Sequence, residues 1–354
     1  MPERLTASVV GGGFGGRLSA NALAASERFQ LVAVTDLRED TCAELRETYP
    51  GIRTFTDHRE MFAACPTDVV CVSTWPPSHE EVTRDALSLP LKCILVEKPL
   101  ADTVAGGRRI LEMVRARGLP MAVPHNLLTT PAALEVIRLV RTGSIGELRT
   151  VEIQCSNWDI INAGIHWMNF FVNLTGCEPL DHVMAICESS TRTYRDGMQV
   201  ETTSVVCAQT RSGVRAYMVS GDDVLTNIGG DATGFRIVGA EGLIEYKAWA
   251  PEYCLVNRDH PSGETVKPEA TGPQGHQRHL ENTASMIGSE RIDYTIPESS
   301  LAALEICEGA YVSNRHRCKV TSPVDAFVPP PEPEWDPGRP YAGTGGGRDG
   351  RKLG

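Results

Sequence analysis

The chain has 354 residues, with 34 Lys and Arg against 45 Asp and Glu, for a net charge of −11. That length is enough for two domains with sizeable cores, and the acidic balance excludes bulk binding to nucleic acid or an anionic membrane. No apolar run reaches the roughly 18 residues of a membrane span.

Met1-Pro2-Glu3-Arg4 leads almost directly into the first apolar stretch, so no signal peptide is expected. The 11 Cys include no C-x-x-C pair and fall mostly in apolar runs such as Val69-Val70-Cys71-Val72. They read as buried thiols in a reducing cytosol, and a cytoplasmic protein is expected.

Residues 7–10 form an apolar strand pattern that runs into Gly11-Gly12-Gly13-Phe14-Gly15-Gly16, a Gly-x-Gly-x-x-Gly match at Gly11, Gly13 and Gly16. A helical pattern over 18–25 follows, then a strand over 31–35 that ends at Asp36, 20 residues beyond Gly16. Gly11 permits the tight turn, Gly13 lets backbone approach a pyrophosphate, and Gly16 lets the helix pack close to the sheet. The helix N-terminus attracts phosphate. Asp36 can accept hydrogen bonds from both ribose hydroxyls and repels a 2′-phosphate, which favours NAD, while Arg38 leaves NADP open. A glycine loop alone is a common tight turn; strand, loop, helix, strand and acid in register make a dinucleotide site.

Further strand patterns at 53–55, 69–73, 94–96 and 121–123 alternate with helical patterns at 41–48, 59–64, 80–89 and 104–117. Such alternation predicts a parallel sheet covered on both faces, a Rossmann domain over 1–124. Ligands bind such sheets at the carboxyl ends of the strands. Thr74, Pro76 and His79 lie at one such end and Glu97-Lys98-Pro99 at another. With Phe14 in the loop, Thr74, Pro76, His79, Glu97 and Lys98 are candidate cofactor contacts. Lys98 would face the nicotinamide, where its ammonium can donate to a substrate oxygen and stabilise charge developing there. Taken alone, Lys-Pro reads as a solvated turn.

After Pro124 the pattern changes. A helix over 132–142, a strand over 148–155 and a helix over 166–174 are followed by strand patterns at 183–187, 202–209, 214–219, 235–238 and 243–246. Consecutive strands without helices between them predict an antiparallel or mixed sheet. Helices over 277–287 and 301–315 close this second domain, 125–328. His276 and His279 sit on a polar stretch and read as surface residues. The tail, 329–354, opens with Pro329-Pro330-Pro331 and ends rich in Gly; it cannot build a core and is either loose or an arm.

Asn162-Ala163-Gly164-Ile165-His166 opens the helix over 166–174. Asn162 and His166 fall on one face of a helical turn, where a histidine can exchange a proton near neutral pH. A merely structural histidine at a helix start is the competing reading. Trp158 and Asp159 precede the turn as candidate cleft lining. No cluster has zinc or calcium spacing and no G-x-S-x-G elbow occurs, so no metal is expected.

The glycine loop, the Ser73–His79 stretch, Glu97-Lys98-Pro99 and Gly164-Ile165-His166, in that order, resemble the glucose–fructose oxidoreductase, inositol dehydrogenase and rhizopine-catabolism (Gfo/Idh/MocA) family. The segment Arg141-Thr142-Gly143-Ser144-Ile145-Gly146-Glu147-Leu148 is similar to that family's linker helix and first sheet strand. The resemblance covers residues 5–325. It implies an α/β chain: an N-terminal Rossmann domain and a C-terminal α/β domain with a large open, mostly antiparallel sheet that forms a homodimer or homotetramer interface. It implies hydride transfer between NAD(P) and a carbinol carbon of a sugar, cyclitol or related polyol. Lys98 corresponds to the family lysine on the reacting oxygen, His166 to the general acid/base, and Asn126 to a polar residue at the substrate mouth. The family pattern places acids where this chain has Asn162 and Asn169; an amide orients an imidazole without supplying charge. Two alternatives remain: a cofactor-binding regulatory protein with little turnover, and an NAD-recycling sugar epimerase or glycosidase.

Overall fold

Full burial on both faces shapes the first sheet. Strands β1 (Leu5–Val10), β2 (Phe29–Thr35), β3 (Arg53–Phe55), β4 (Val69–Val72), β5 (Cys93–Val96) and β6 (Met121–Ala122) run parallel in the order β3-β2-β1-β4-β5-β6. Every residue of β4 and β5 is 0% exposed. Helices cover both faces of such a sheet, so these strands read as continuous apolar runs without alternation. The intervening helices are α1 (Phe14–Ala25), α2 (Glu39–Thr48), α3 (His58–Ala64), α4 (His79–Ala86) and α5 (Val104–Ala116). Strand order reverses between β1 and β4, which opens a crevice at their carboxyl ends.

This computed structural model describes residues 4–191, 193–226, 233–328 and 337–340. They form two compact units. The first is Met1–Ala101, Ala105–Asn126 and Gly272–Glu298; the second is Asp102–Val104, Leu127–Thr271 and Ser299–Gly354. The sequence expectation placed the late helix over 277–287 in the second domain, and the structure corrects this. Helix α8 (Gly275–Ser285) belongs to the first unit, where Leu280 and Ala284 join Ala20, Leu23, Phe29 and Val69 in one core. The surface reading of His276 and His279 is also overturned: they are 5% and 6% exposed. They share a helical face with Leu280 and turn inward to buried polar partners.

In the second unit, helices α6 (Pro131–Arg141), α7 (Ile165–Leu174) and α9 (Thr295–His316) accompany a nine-stranded sheet. Its strands are β7 (Leu148–Ser156), β8 (Leu180–Glu188), β11 (Thr203–Thr210), β12 (Arg215–Gly221), β13 (Thr233–Gly239), β14 (Leu243–Lys247), β15 (Tyr253–Val256), β16 (Glu264–Val266) and β17 (Val320–Thr321). A two-stranded ribbon, β9 (Tyr194–Arg195) with β10 (Met198–Gln199), stands apart. The order is β16-β15-β14-β13-β7-β12-β11-β8-β17, antiparallel at every neighbour except β7 with β12. Alternating burial along β11 marks one covered face and one open face. The expected tail lies outside the described residues except 337–340, where Gln199 N–H donates to Arg339 O at 2.7 Å. Among the described residues no helix is long and apolar enough to cross a membrane.

Candidate functional site

In the first unit the glycine loop is shaped by close approach. Gly11 takes φ +100°, and a Cβ there would stand 2.3 Å from Ser73 O; a Cβ on Gly16 would stand 1.7 Å from Gly11 O. Any side chain at Gly16 would therefore separate α1 from β1. A Cβ on Gly13 would meet nothing within 4 Å, so the backbone there borders open space. Helix α1 begins at Phe14, 62% exposed, without a side-chain cap and without an acid in its first turn, an arrangement that suits an anion. Asp36, half-buried, accepts from Gly12 N–H at 2.8 Å through Oδ2 and from Arg38 N–H at 3.0 Å through Oδ1. Each oxygen retains a lone pair for a ribose hydroxyl. These residues fit a dinucleotide, with Gly11, Gly13, Phe14 and Gly16 at the pyrophosphate and Asp36 at the ribose.

At the ends of β4 and β5, His79 is fully buried, with Nε2 2.9 Å from Thr74 O and Nδ1 3.1 Å from Pro99 O. Burial lowers its pKa. It clips the two strand-end turns together and supports a ligand site only through Thr74 and the buried Pro76. Lys98 is half-buried and joined to Pro99 by a cis bond.

Glu97 is 6% exposed; Oε1 meets His276 Nε2 at 2.5 Å and Oε2 accepts from Lys98 N–H at 3.1 Å. Asn126 Nδ2 lies 3.1 Å from His276 Nδ1, so the amide donates to Nδ1, and Nε2–H donates to Glu97. Burial works to raise the Glu97 carboxyl, but His276 and Lys98 outweigh it and hold the group below the usual carboxylate range. A Cβ on Gly15 would come within 3.0 Å of this carboxyl, which places Glu97 directly beneath the loop. His125, fully buried, is pushed well below its ordinary value by burial, with His279 and Lys98 adding to the effect, and is neutral. The sequence reading placed His276 at the surface; the signal for its burial was its spacing from Leu280 and Ala284 on one helical face.

In the second unit, every residue of α7 is buried except His166, which is half-buried. A helix with no other ionisable residue thus brings one ionisable group to solvent. The turn before it, Ile160–Gly164, is π-helical, with Gly164 N–H donating to Asp159 O at 2.9 Å. Such turns recur at functional sites. The carboxylate of the fully buried Asp159 accepts from Asn162 N–H at 2.8 Å and Asn162 Nδ2 at 3.1 Å, and pairs with Arg195 at 2.9 Å. The Arg195 guanidinium stacks on Trp158 at 4.5 Å. Trp158 is therefore partly covered by the chain itself. Asn169, also buried, donates to Ser299 Oγ at 3.1 Å.

A second carboxylate, Glu201, is fully buried and was not singled out in the sequence. It accepts from Ile160 N–H at 2.6 Å and from Tyr311 O–H at 2.9 Å. Burial and the nearby Asp159 push it up to about 7. Among the described residues no group of His, Cys, Asp and Glu could hold a metal ion.

The raised Glu201 pKa has a definite sign. Between its ordinary 4.5 and about 7 the folded chain holds a proton that the unfolded chain has lost, so stability present at low pH is lost as pH rises through this window. Glu201→Gln removes that loss. In denaturant melts, the stability of the variant relative to wild type should rise between pH 5 and pH 8 by on the order of 2 kcal/mol; a flat or falling difference contradicts the assignment.

Residues 5–125 match the family described as "Oxidoreductase family, NAD-binding Rossmann fold" (GFO_IDH_MocA). The chain is 38% identical over 90 residues to an inositol 2-dehydrogenase/D-chiro-inositol 3-dehydrogenase of Shouchella clausii, a span of 25% of this chain and 26% of that relative. It is 27% identical over 144 residues to a D-apiose dehydrogenase of Paraburkholderia graminis, covering 41% of this chain and 38% of the relative. The chain therefore aligns with about a quarter to two fifths of the length of these relatives. Two solved structures share the fold over nearly the whole chain. GenD2 from gentamicin A biosynthesis, in complex with NAD, has a TM-score of 0.74 at 22% identity, covering 91% of this chain and 97% of that one. The aldose-aldose oxidoreductase from Caulobacter crescentus, complexed with glycerol, has a TM-score of 0.76 at 21% identity, covering 90% and 100%. The glycine loop, Asp36 and the β3-β2-β1-β4-β5-β6 sheet all lie within residues 5–125, the span that matches the NAD-binding Rossmann domain of the GFO_IDH_MocA oxidoreductase family.

Proposed function

We propose that the chain transfers a hydride between NAD and a carbinol or keto carbon of a sugar, cyclitol or related polyol. The observation that carries this reading is His166, the one residue of α7 that reaches solvent, on a turn braced by a buried acid. NAD, when bound, supplies the hydride acceptor. Lys98 binds the reacting oxygen and stabilises its developing charge, and His166 exchanges the hydroxyl proton. Asn162 links His166's turn to Asp159, whose charge Arg195 balances. Asn126 orients His276, and through it Glu97, beside Lys98. Asp36 supports NAD over NADP, since its carboxylate opposes a 2′-phosphate and Arg38 is engaged by Asp40 at 3.0 Å. The inositol and apiose dehydrogenases among the relatives support the substrate class.

Asn162 and Asn169 favour a second reading, a cofactor-binding regulator, because neither amide supplies charge to an imidazolium. Kinetics with NAD on a panel of myo-inositol, D-glucose and other polyols separate the two. Lys98→Ala and His166→Ala should each lower kcat/KM by roughly 10²–10⁴-fold, with NADH affinity little changed; near-wild-type turnover in both contradicts the roles.

The open face of the second sheet supports a homo-oligomer. Ile186, Val205 and Val219 are 66%, 50% and 38% exposed and lie opposite one another in register. Exposed apolar patches of this kind mark association surfaces. Ile186→Asp should reduce the solution mass to that of a monomer; an unchanged mass places the interface elsewhere.

A further inference from the structure

Trp249 occupies a place where a tryptophan is costly. It follows β14 in a turn closed by Ala250 N–H donating to Lys247 O at 3.0 Å, and the preceding Ala248 N–H donates to Thr233 O at 2.9 Å. The backbone is thus pinned on both sides, and Trp249 takes φ +67°. That left-handed conformation suits Gly or Asn; for a bulky residue it is a genuine outlier of the kind that gathers at functional sites. Burial offers little compensation, because Trp249 remains 48% exposed. Its ring stands 5.9 Å from that of His166 at an interplanar angle of 79°, and 6.1 Å from that of Trp167 at 66°. The strained, half-exposed indole therefore adjoins the single residue that α7 brings to solvent.

We propose that Trp249 forms the stacking wall of a substrate subsite beside His166, receiving the C–H face of a pyranose or cyclitol ring. This rests on the reading of His166 as the proton-exchanging group. A cyclic polyol directs most hydroxyls outward around its rim and presents weakly positive C–H groups on a face, which complement the negative π face of indole. A ring held there has one carbinol beside the imidazole. An acyclic polyol has no such face and gains little from the wall, so Trp249 selects cyclic over open-chain substrates.

Saturation-transfer NMR on the full chain tests this without requiring turnover. The probes are myo-inositol, methyl D-glucopyranoside and, as the acyclic comparison, sorbitol. Wild type should transfer saturation to the ring C–H protons of at least one cyclic probe and little to sorbitol. Trp249→Ala should abolish the transfer, Trp249→Phe should keep most of it, and His166→Ala should retain it. For a cyclic substrate that is turned over, Trp249→Ala should raise KM roughly tenfold with kcat within about threefold. Trp249→Gly, which relieves the left-handed strain, should melt at or above the wild-type Tm while losing the ring signal. Absence of transfer to every cyclic probe in wild type, or unchanged transfer in Trp249→Ala, overturns the proposal. Ring binding that survives in His166→Ala with no turnover in wild type keeps the wall and rejects hydride transfer.

Discussion

A carboxylate removed from water must be matched on every side, and Asp159 imposes that demand on the second unit. Its oxygens take the Asn162 main-chain and side-chain N–H groups and the Arg195 guanidinium. With the Asn162 N–H held by the Asp159 side chain and the Ile160 N–H by Glu201, the carbonyl of Asp159 is left to receive Gly164. The turn closes as a π-helix, and α7 follows it directly with His166 at its second position. Removing one partner from such a pair strands a buried charge at a cost of about 3–5 kcal/mol. Arg195 comes from the short β9–β10 ribbon, so the ribbon supplies the counter-charge for Asp159.

The first unit solves a different problem. Its sheet is apolar and its helices cover both faces, so polar chemistry is confined to the carboxyl ends of the strands. There a backbone carbonyl fills the space where Gly16 would carry a Cβ, and Asp36 ties Gly12 to the end of β2. Beneath the loop, burial works to raise the Glu97 carboxyl, and His276 and Lys98 together hold it low. The charge next to Lys98 thus depends on α8, a helix that follows eight of the nine strands of the second sheet in the chain.

This explains what the sequence could and could not disclose. The glycine loop, Asp36, Lys98 and the parallel strands were legible because their meaning is local: turn, strand end and spacing lie within a few tens of residues. The contacts that govern the polar groups span long separations: 179 residues between His276 and Glu97 and 110 between Tyr311 and Glu201. Periodicity shows that α8 has an inward face but not which sheet receives it. The polar stretch that suggested surface is polar because it serves buried partners. Trp249 was invisible for the opposite reason, since turn rules place Gly or Asn at a left-handed position, and a tryptophan there violates the rule that would have marked it.

Hydride movement itself is the most direct check on the chemistry assigned to Lys98 and His166. Wild-type chain is mixed with NADH deuterated on one face of C4 and with keto forms of inositols and hexoses, and the products are analysed for deuterium at carbon. Deuterium should pass from one face only to the reduced carbon of a cyclic ketone. Tight NADH binding with no transfer to any of these ketones contradicts an oxidoreductase and leaves a cofactor-binding regulator.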